Sequence, residues 1–156
     1  MAKEKAKAAA AKPADKAIGA AAFDIENPQS DPDSGLTAKQ TRELYDKLRK
    51  ERQRVLEGVR RHIAEATDPT GPMADEMDQA SRDAEQAYLI RYANKERKLL
   101  IEIAHALQKM RSGEYGICEG TGEPIGKKRL MARPWTRHSI AYKEQLELEQ
   151  KGVGRR

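Results

Sequence analysis

Apolar side chains recur at helical spacing through two long stretches of the chain. In the first, Leu44, Leu48, Val55, Val59 and Ile63 form a single stripe. Thr37 followed by Gln40 has the form of a capping box, with Leu36 at the staple position, so this helix is predicted to begin there. The cluster Asp68-Pro69-Thr70-Gly71-Pro72 should stop it near Thr67, because proline removes a backbone donor and glycine frees the turn. The second stretch runs from about Ala74 to Ser112, with a stripe of Ala80, Ala84, Tyr88, Leu99, Ile103, Leu107 and Met110 and a stop at Gly113. At 1.5 Å per residue the two helices should be roughly 45 Å and roughly 55–60 Å long. Neither stripe is stable in water alone, so the pattern predicts a mainly α protein. Its body is an antiparallel coiled-coil hairpin over 36–112, with a tip at about 67–80.

The flanks read differently. Residues 1–35 are rich in alanine and lysine and then in turn formers (Asn27, Pro28, Ser30, Pro32, Ser34, Gly35), and are predicted to be a flexible arm. Residues 113–151 should form a small glycine-punctuated knuckle followed by a helix over about 136–151, with 152–156 frayed. Composition supports helices over sheets. Ile, Leu, Val and Phe make up only about 15 % of the chain, and Ala, Glu, Lys, Leu and Arg about half of it. The 30 basic and 25 acidic side chains nearly balance, at a net charge of +5. No run of about 18 apolar residues exists to span a membrane. The alanine-rich start is broken by Lys12, Pro13, Asp15 and Lys16, which argues against an export signal. A single cysteine, Cys118, cannot form an intramolecular disulfide and fits a reducing, cytoplasmic setting.

The candidate chemistry lies at the two ends of the hairpin. Cys118, Thr121, Ser139 and Tyr142 occupy the four positions of a C-x2-C-x17-C-x2-C zinc pattern, yet three of them carry hydroxyls. Neutral hydroxyls are poor zinc donors, so no metal is expected. Trp135, Ile117, Ile125, Ile140 and Tyr142 are the candidate replacement core. At the other end, Glu65, Asp68, Asp75, Glu76, Asp78, Asp83 and Glu85 gather against Arg82 alone, an acidic tip on a basic protein. Asp75 and Asp78 stand three apart in a first helical turn, nearly on one side; this also suits the helix dipole. Lys127, Lys128, Arg129, Arg133 and Arg137 form a basic cluster, open to reading as a solvated face, a phosphate site or a docking surface. His62 and His105 have no metal-spaced partner and read as packing or surface residues. No nucleophile triad or phosphate loop is present, so an enzyme is not expected.

The stretch Tyr115-Gly116-Ile117-Cys118 through Ile125-Gly126, Arg129-Leu130 and Ala132-Arg133-Pro134, with Lys95-Glu96-Arg97-Lys98-Leu99 before it, resembles the DksA/TraR family of bacterial RNA polymerase-binding transcription factors. The resemblance covers roughly 36–151. It implies a protruding coiled coil on a zinc-knuckle base, from which this chain departs at three ligand positions. It further implies a monomer that binds RNA polymerase through its secondary channel, with Asp75, Asp78 and Ala80 as the acting tip. Arg91, Lys95 and Lys98 would grip the channel rim, a solvated helix face being the alternative. Leu99, Arg133 and Lys143 match positions that line a ppGpp site, while Glu102 stands where a lysine is expected, which weakens the case for that effector. Neither a membrane nor sequence-specific DNA is expected as a partner. Two rival functions are a transcript-cleavage cofactor of the polymerase and a nucleic-acid-binding accessory protein using the basic arm and knuckle.

Overall fold

A computed structural model describes residues 24–67 and 76–153. A short 3-10 turn, Pro32–Ser34, leads into α1 (Ala38–Ala66), α2 (Glu76–Ser112), α3 (Lys127–Ala132) and α4 (Ile140–Val153). There is no β-strand among the described residues, only an isolated bridge between Ile117 and Pro124. No helix among them is long and apolar enough to cross a membrane.

Local chemistry sets the helix ends. Thr37 Oγ1 accepts from the Gln40 N–H and Gln40 Oε1 from the Thr37 N–H, both at 3.3 Å, closing the capping box at the start of α1. At the far end the Thr67 hydroxyl donates to the Ile63 carbonyl at 2.9 Å. α2 ends where Gly113 takes φ +81° and the Glu114 N–H reaches back to the Lys109 carbonyl at 3.0 Å, a Schellman stop.

α1 and α2 pack against each other as the predicted hairpin. Its core is concentrated at one end, where Leu44, Tyr45 and Leu48 of α1 meet Ile103, Ala106, Leu107 and Met110 of α2. Tyr115, Cys118, Ile125 and Leu130 close that cluster from the knuckle side. Further along the stalk a smaller cluster holds Val55, Val59 and Leu100. Beyond it the apolar seam thins out. Ala80 and Ala84 are exposed, Tyr88 is 63 % exposed and Ile63 is 44 % exposed, so the expected stripe does not continue as core. The cause lies in the opposing helix: after Val59, α1 offers only Ile63 as a large apolar side chain, leaving nothing for Tyr88 to be buried against. Ala93, Leu100 and Ala106 carry the buried face instead.

Two boundaries also differ from the expectation. Residues 24–35 are not a free arm. The Ile25 N–H donates to Tyr45 Oη (2.8 Å), the Gln29 N–H to the Met110 carbonyl (2.9 Å) and the Asp31 N–H to the Tyr115 carbonyl (2.9 Å). Gly116 makes room for this segment. Its φ is +103°, and a Cβ there would lie 2.6 Å from that of Ser34. The rest of the expected arm, 1–23, lies outside the described residues. The last helix begins at Ile140 rather than Thr136, because Ser139 supplies the cap: its Oγ accepts from the Tyr142 N–H at 3.3 Å.

Candidate functional site

The knuckle is organised around a buried sulfur. Cys118 is 1 % exposed, and its Sγ accepts from the Ser139 N–H at 3.3 Å. Burial pushes the thiol pKa up, but hydrogen bonds from the Thr121 hydroxyl and from the N–H groups of Ser139, Thr121 and Gly120 outweigh it and bring it down to about 6. The turn itself is closed by Cys118 N–H to Glu123 carbonyl (2.8 Å) and Gly122 N–H to Cys118 carbonyl (2.9 Å). Cys118 and Ser139 are therefore brought together, and Tyr142 joins them from the first turn of α4. The Tyr142 ring lies where a side chain at residue 120 would stand, so only glycine fits there, and it packs on His138 with ring centroids 5.1 Å apart.

These four positions do not suit zinc. They offer one thiol and three hydroxyls; the Ser139 hydroxyl is used as a helix cap and the Tyr142 ring as packing. No group of three or more His, Cys, Asp or Glu side chains among the described residues could hold a metal ion. Of the expected replacement core, Ile125 is buried and Ile117, Trp135 and Tyr142 are partly buried, but Ile140 is 54 % exposed. Tyr115 and Leu130 take its place. The Tyr115 hydroxyl donates to the Pro134 carbonyl at 2.7 Å, and burial pushes the phenol well above its ordinary pKa.

An ion-pair cluster centred on Glu119 ties the knuckle to the stalk. Arg137 donates to Glu119 Oε2 from Nε (2.8 Å) and Nη2 (2.6 Å), and the Glu119 N–H donates to the Arg137 carbonyl (3.1 Å). From α2, Lys109 Nζ lies 2.9 Å and His105 Nδ1 3.5 Å from Glu119 Oε1. Burial raises the Glu119 pKa, but the bonds from Arg137 and Lys109 prevail and hold it at about 2. Arg137 also faces Glu102 at 3.8 Å, which offsets part of that acid's charge. Nothing in the sequence pattern pointed to Glu119, since its partners lie outside any local spacing rule.

The remaining candidates are spread along the molecule. Asp75 lies outside the described residues. Asp78 and Ala80 are exposed in the first turns of α2, roughly 37 Å of helix from Ile103 in the main core. Arg91, Lys95 and Lys98 are exposed on α2 and carry no ion pair among the described residues. Leu99 is partly buried against both clusters, Arg133 is exposed at the end of α3, and Lys143 is exposed in the first turn of α4. His62, read from the sequence as a bystander, has a partner: its Nδ1 is 2.9 Å from Glu96 Oε2, and its ring meets Tyr92 edge-on at 4.8 Å.

Comparison with known proteins agrees with this architecture. Residues 40–110 match the model of the N-terminal domain of the DnaK suppressor protein DksA, and residues 113–141 that of the prokaryotic dksA/traR C4-type zinc finger. The RNA polymerase-binding transcription factor DksA of Caulobacter vibrioides is 33 % identical over 118 residues, covering 76 % of this chain and 83 % of that one. General stress protein 16O of Bacillus subtilis is 33 % identical over 117 residues, covering 72 % and 71 %. The solved structure of transcription factor DksA2 from Pseudomonas aeruginosa superimposes with a TM-score of 0.65 at 35 % identity, over 72 % of this chain and 87 % of that one. Hairpin and knuckle thus each find their counterpart in the same order along one polypeptide, and the chain belongs to the DksA/TraR family.

Proposed function

We propose that this protein binds RNA polymerase and regulates transcription, entering the secondary channel with its stalk and acting on initiation through its tip. The observation that carries the reading is the long hairpin, whose core is gathered at one end and whose carboxylate-bearing first turns of α2 stand far from it. It is supported by family membership and by relatives named as RNA polymerase-binding transcription factors. Asp75, Asp78 and Ala80 act at the tip. Carboxylates delivered near a catalytic magnesium perturb the metal, the nucleotide or mobile polymerase segments without performing a reaction themselves, so the protein is a regulator and not an enzyme. Arg91, Lys95 and Lys98 hold the polymerase at the channel rim. Leu99, Arg133 and Lys143 form the ppGpp-responsive face, where Arg137 offsets Glu102. The protein works as a monomer in the cytoplasm, alongside the polymerase.

We further infer that the knuckle binds no zinc. The support is its donor set, one thiol and three hydroxyls, with the Cys118 sulfur accepting from the Ser139 N–H, the Ser139 hydroxyl serving as a helix cap and the Tyr142 ring packed over Gly120.

The decisive experiment is initiation in vitro from an rRNA-type promoter, with and without ppGpp. Wild-type protein should change open-complex lifetime, and Asp75→Asn/Asp78→Asn should abolish the change while still binding polymerase. An unchanged lifetime with wild type would refute the reading. Shortened RNA from a backtracked elongation complex would favour the transcript-cleavage alternative.

A further inference from the structure

Halfway along the stalk, α1 and α2 leave a groove of about 540 Å³ between them, with Tyr88, Tyr92 and Lys95 on its α2 wall and Arg61 on its α1 wall. On the same wall of α2, steps of three and four residues toward the tip reach Glu85, Ser81 and Asp78. One face of α2 therefore carries acids toward the tip, two tyrosines in the middle and a base at the groove. Glu85 and Lys95 are ten positions apart, about 15 Å, and the midpoint between them falls between Tyr88 and Tyr92. α1 repeats the order, with Glu65 toward the tip and Arg61 one turn nearer the base. These five charged residues are exposed and carry no ion pair among the described residues. The groove floor does not satisfy them, since its Glu96 is taken up by His62 at 2.9 Å. The aromatic centre is open as well: Tyr88 is 63 % and Tyr92 41 % exposed, with ring centroids 6.3 Å apart.

Such a face is complementary to itself once turned end for end. A two-fold axis across the stalk, at the level between the tyrosines, sets Lys95 of each copy against Glu85 of the other. Tyr88 of each then meets Tyr92 of the other, and Arg61 comes toward the other copy's Glu65. Parallel alignment would oppose like charges instead. Two hairpins joined in this way make a four-helix bundle, in which a side chain with no opposite in its own hairpin finds one in the second. Tyr88 is such a side chain. Aromatic residues at the centre supply the buried area, and the flanking charges set register and orientation. We propose that this protein pairs with a second copy of itself, antiparallel, through the face that runs from Asp78 to Lys95. The pair covers Asp78 and Lys95, so it is a reserve from which the working monomer is released by dilution or competition. That consequence rests on the polymerase reading; the pairing does not.

The test is sedimentation equilibrium of the full-length protein at low salt, from micromolar to sub-millimolar concentration. Wild type should show a monomer–dimer equilibrium that weakens as salt is raised. Glu85→Lys and Lys95→Glu should each weaken dimerisation by about tenfold or more. An equimolar mixture of those two variants should restore it, because every opposed pair in the mixed dimer then carries opposite charges. Tyr88→Ala should weaken it likewise, and Tyr88→Phe should retain most of it. At dilutions where the monomer prevails, all four variants should melt with wild type, since the substituted side chains are exposed. A wild-type chain that stays monomeric throughout, a dimer indifferent to both charge variants, or a mixture no tighter than its components overturns the pairing. In a separate arm, excess core RNA polymerase should dissolve the wild-type dimer. A dimer that binds polymerase intact overturns the reserve, whereas a protein that pairs but never binds polymerase overturns the polymerase reading alone.

Discussion

Gly58 sits in the interior of α1, where replacing glycine by alanine ordinarily stabilises a helix by about 0.8–1 kcal/mol. The expected sign here is the reverse. A Cβ at residue 58 would lie 2.5 Å from Glu96 Oε1 and 3.1 Å from its Cδ. Since these atoms end a flexible side chain, the carboxylate can swing away, and in doing so it abandons His62 Nδ1 at 2.9 Å. Both side chains are more than four-fifths buried. A hydrogen bond to a carboxylate in that setting contributes about 1.5–3 kcal/mol. Subtracting the propensity gain leaves Gly58→Ala net destabilised by about 0.5–2 kcal/mol.

A double-mutant cycle in urea measures this coupling. In a Glu96→Ala background the obstacle is gone, and Gly58→Ala should stabilise the protein by about 1 kcal/mol. The coupling between the two sites is then about 1.5–3 kcal/mol, with the denaturant slope unchanged. Equal stabilisation by Gly58→Ala in both backgrounds would show that the Glu96–His62 pair does not depend on the missing side chain.

Three further outcomes follow from the knuckle. Glu119 has a folded pKa of about 2 against an ordinary value of 4.5, so its contribution is complete above about pH 4.5 and is lost as pH falls toward 2. With its side chain 23 % exposed, that contribution is about 1–2 kcal/mol after solvent screening. The stability gap between wild type and Glu119→Gln, followed by thermal melting, should therefore shrink over this range; a constant gap refutes the assignment. Tyr115→Phe leaves the Pro134 carbonyl without its 2.7 Å partner in a buried site and should cost about 1–3 kcal/mol in chemical denaturation, whereas an unchanged midpoint would mean that water replaces the hydroxyl. Elemental analysis should find no stoichiometric zinc, and a chelator should leave the melting temperature unmoved; one zinc per chain removes the zinc-free inference.

The ends of the long helices were legible because they rest on local chemistry. Thr37 with Gln40 and Gly113 each act within a few residues, and α1 begins and α2 ends close to where those residues point. The distal half of α2 was misread for a related reason. Periodicity states which residues share a face, not whether the partner helix has anything to cover them, and α1 lacks the side chains to bury Tyr88. Residues 24–35 escaped because they dock largely through backbone N–H groups of Gln29 and Asp31, which no composition reveals. The Glu119 cluster escaped as well: Arg137 and Lys109 reach it from elements 18 and 10 positions away in sequence, and only the fold brings them together. Asp78 and Ala80 are exposed in the first turns of α2, and their action at the tip is a proposal that rests on resemblance.

A knuckle that binds no zinc, as proposed above, must be held together by other contacts. A structural zinc contributes about 10 kcal/mol or more to the folding of a small finger. In this chain the two segments that such an ion would join are linked by the Ser139–Cys118 hydrogen bond, the paired Glu119–Arg137 contacts and the Tyr142 ring over Gly120. At about 1 kcal/mol for a neutral hydrogen bond and somewhat more for a charged one, these links fall short of an ion. The remaining stability must come from elsewhere, and the core shows where: Tyr115, Cys118, Ile125 and Leu130 are not a separate cluster but part of the one containing Leu44, Tyr45, Ile103 and Met110. A zinc finger can fold as an autonomous unit; this knuckle is fused to the base of the stalk through a shared core and the Lys109–Glu119 bridge. Its orientation relative to the hairpin is therefore set by packing and charge.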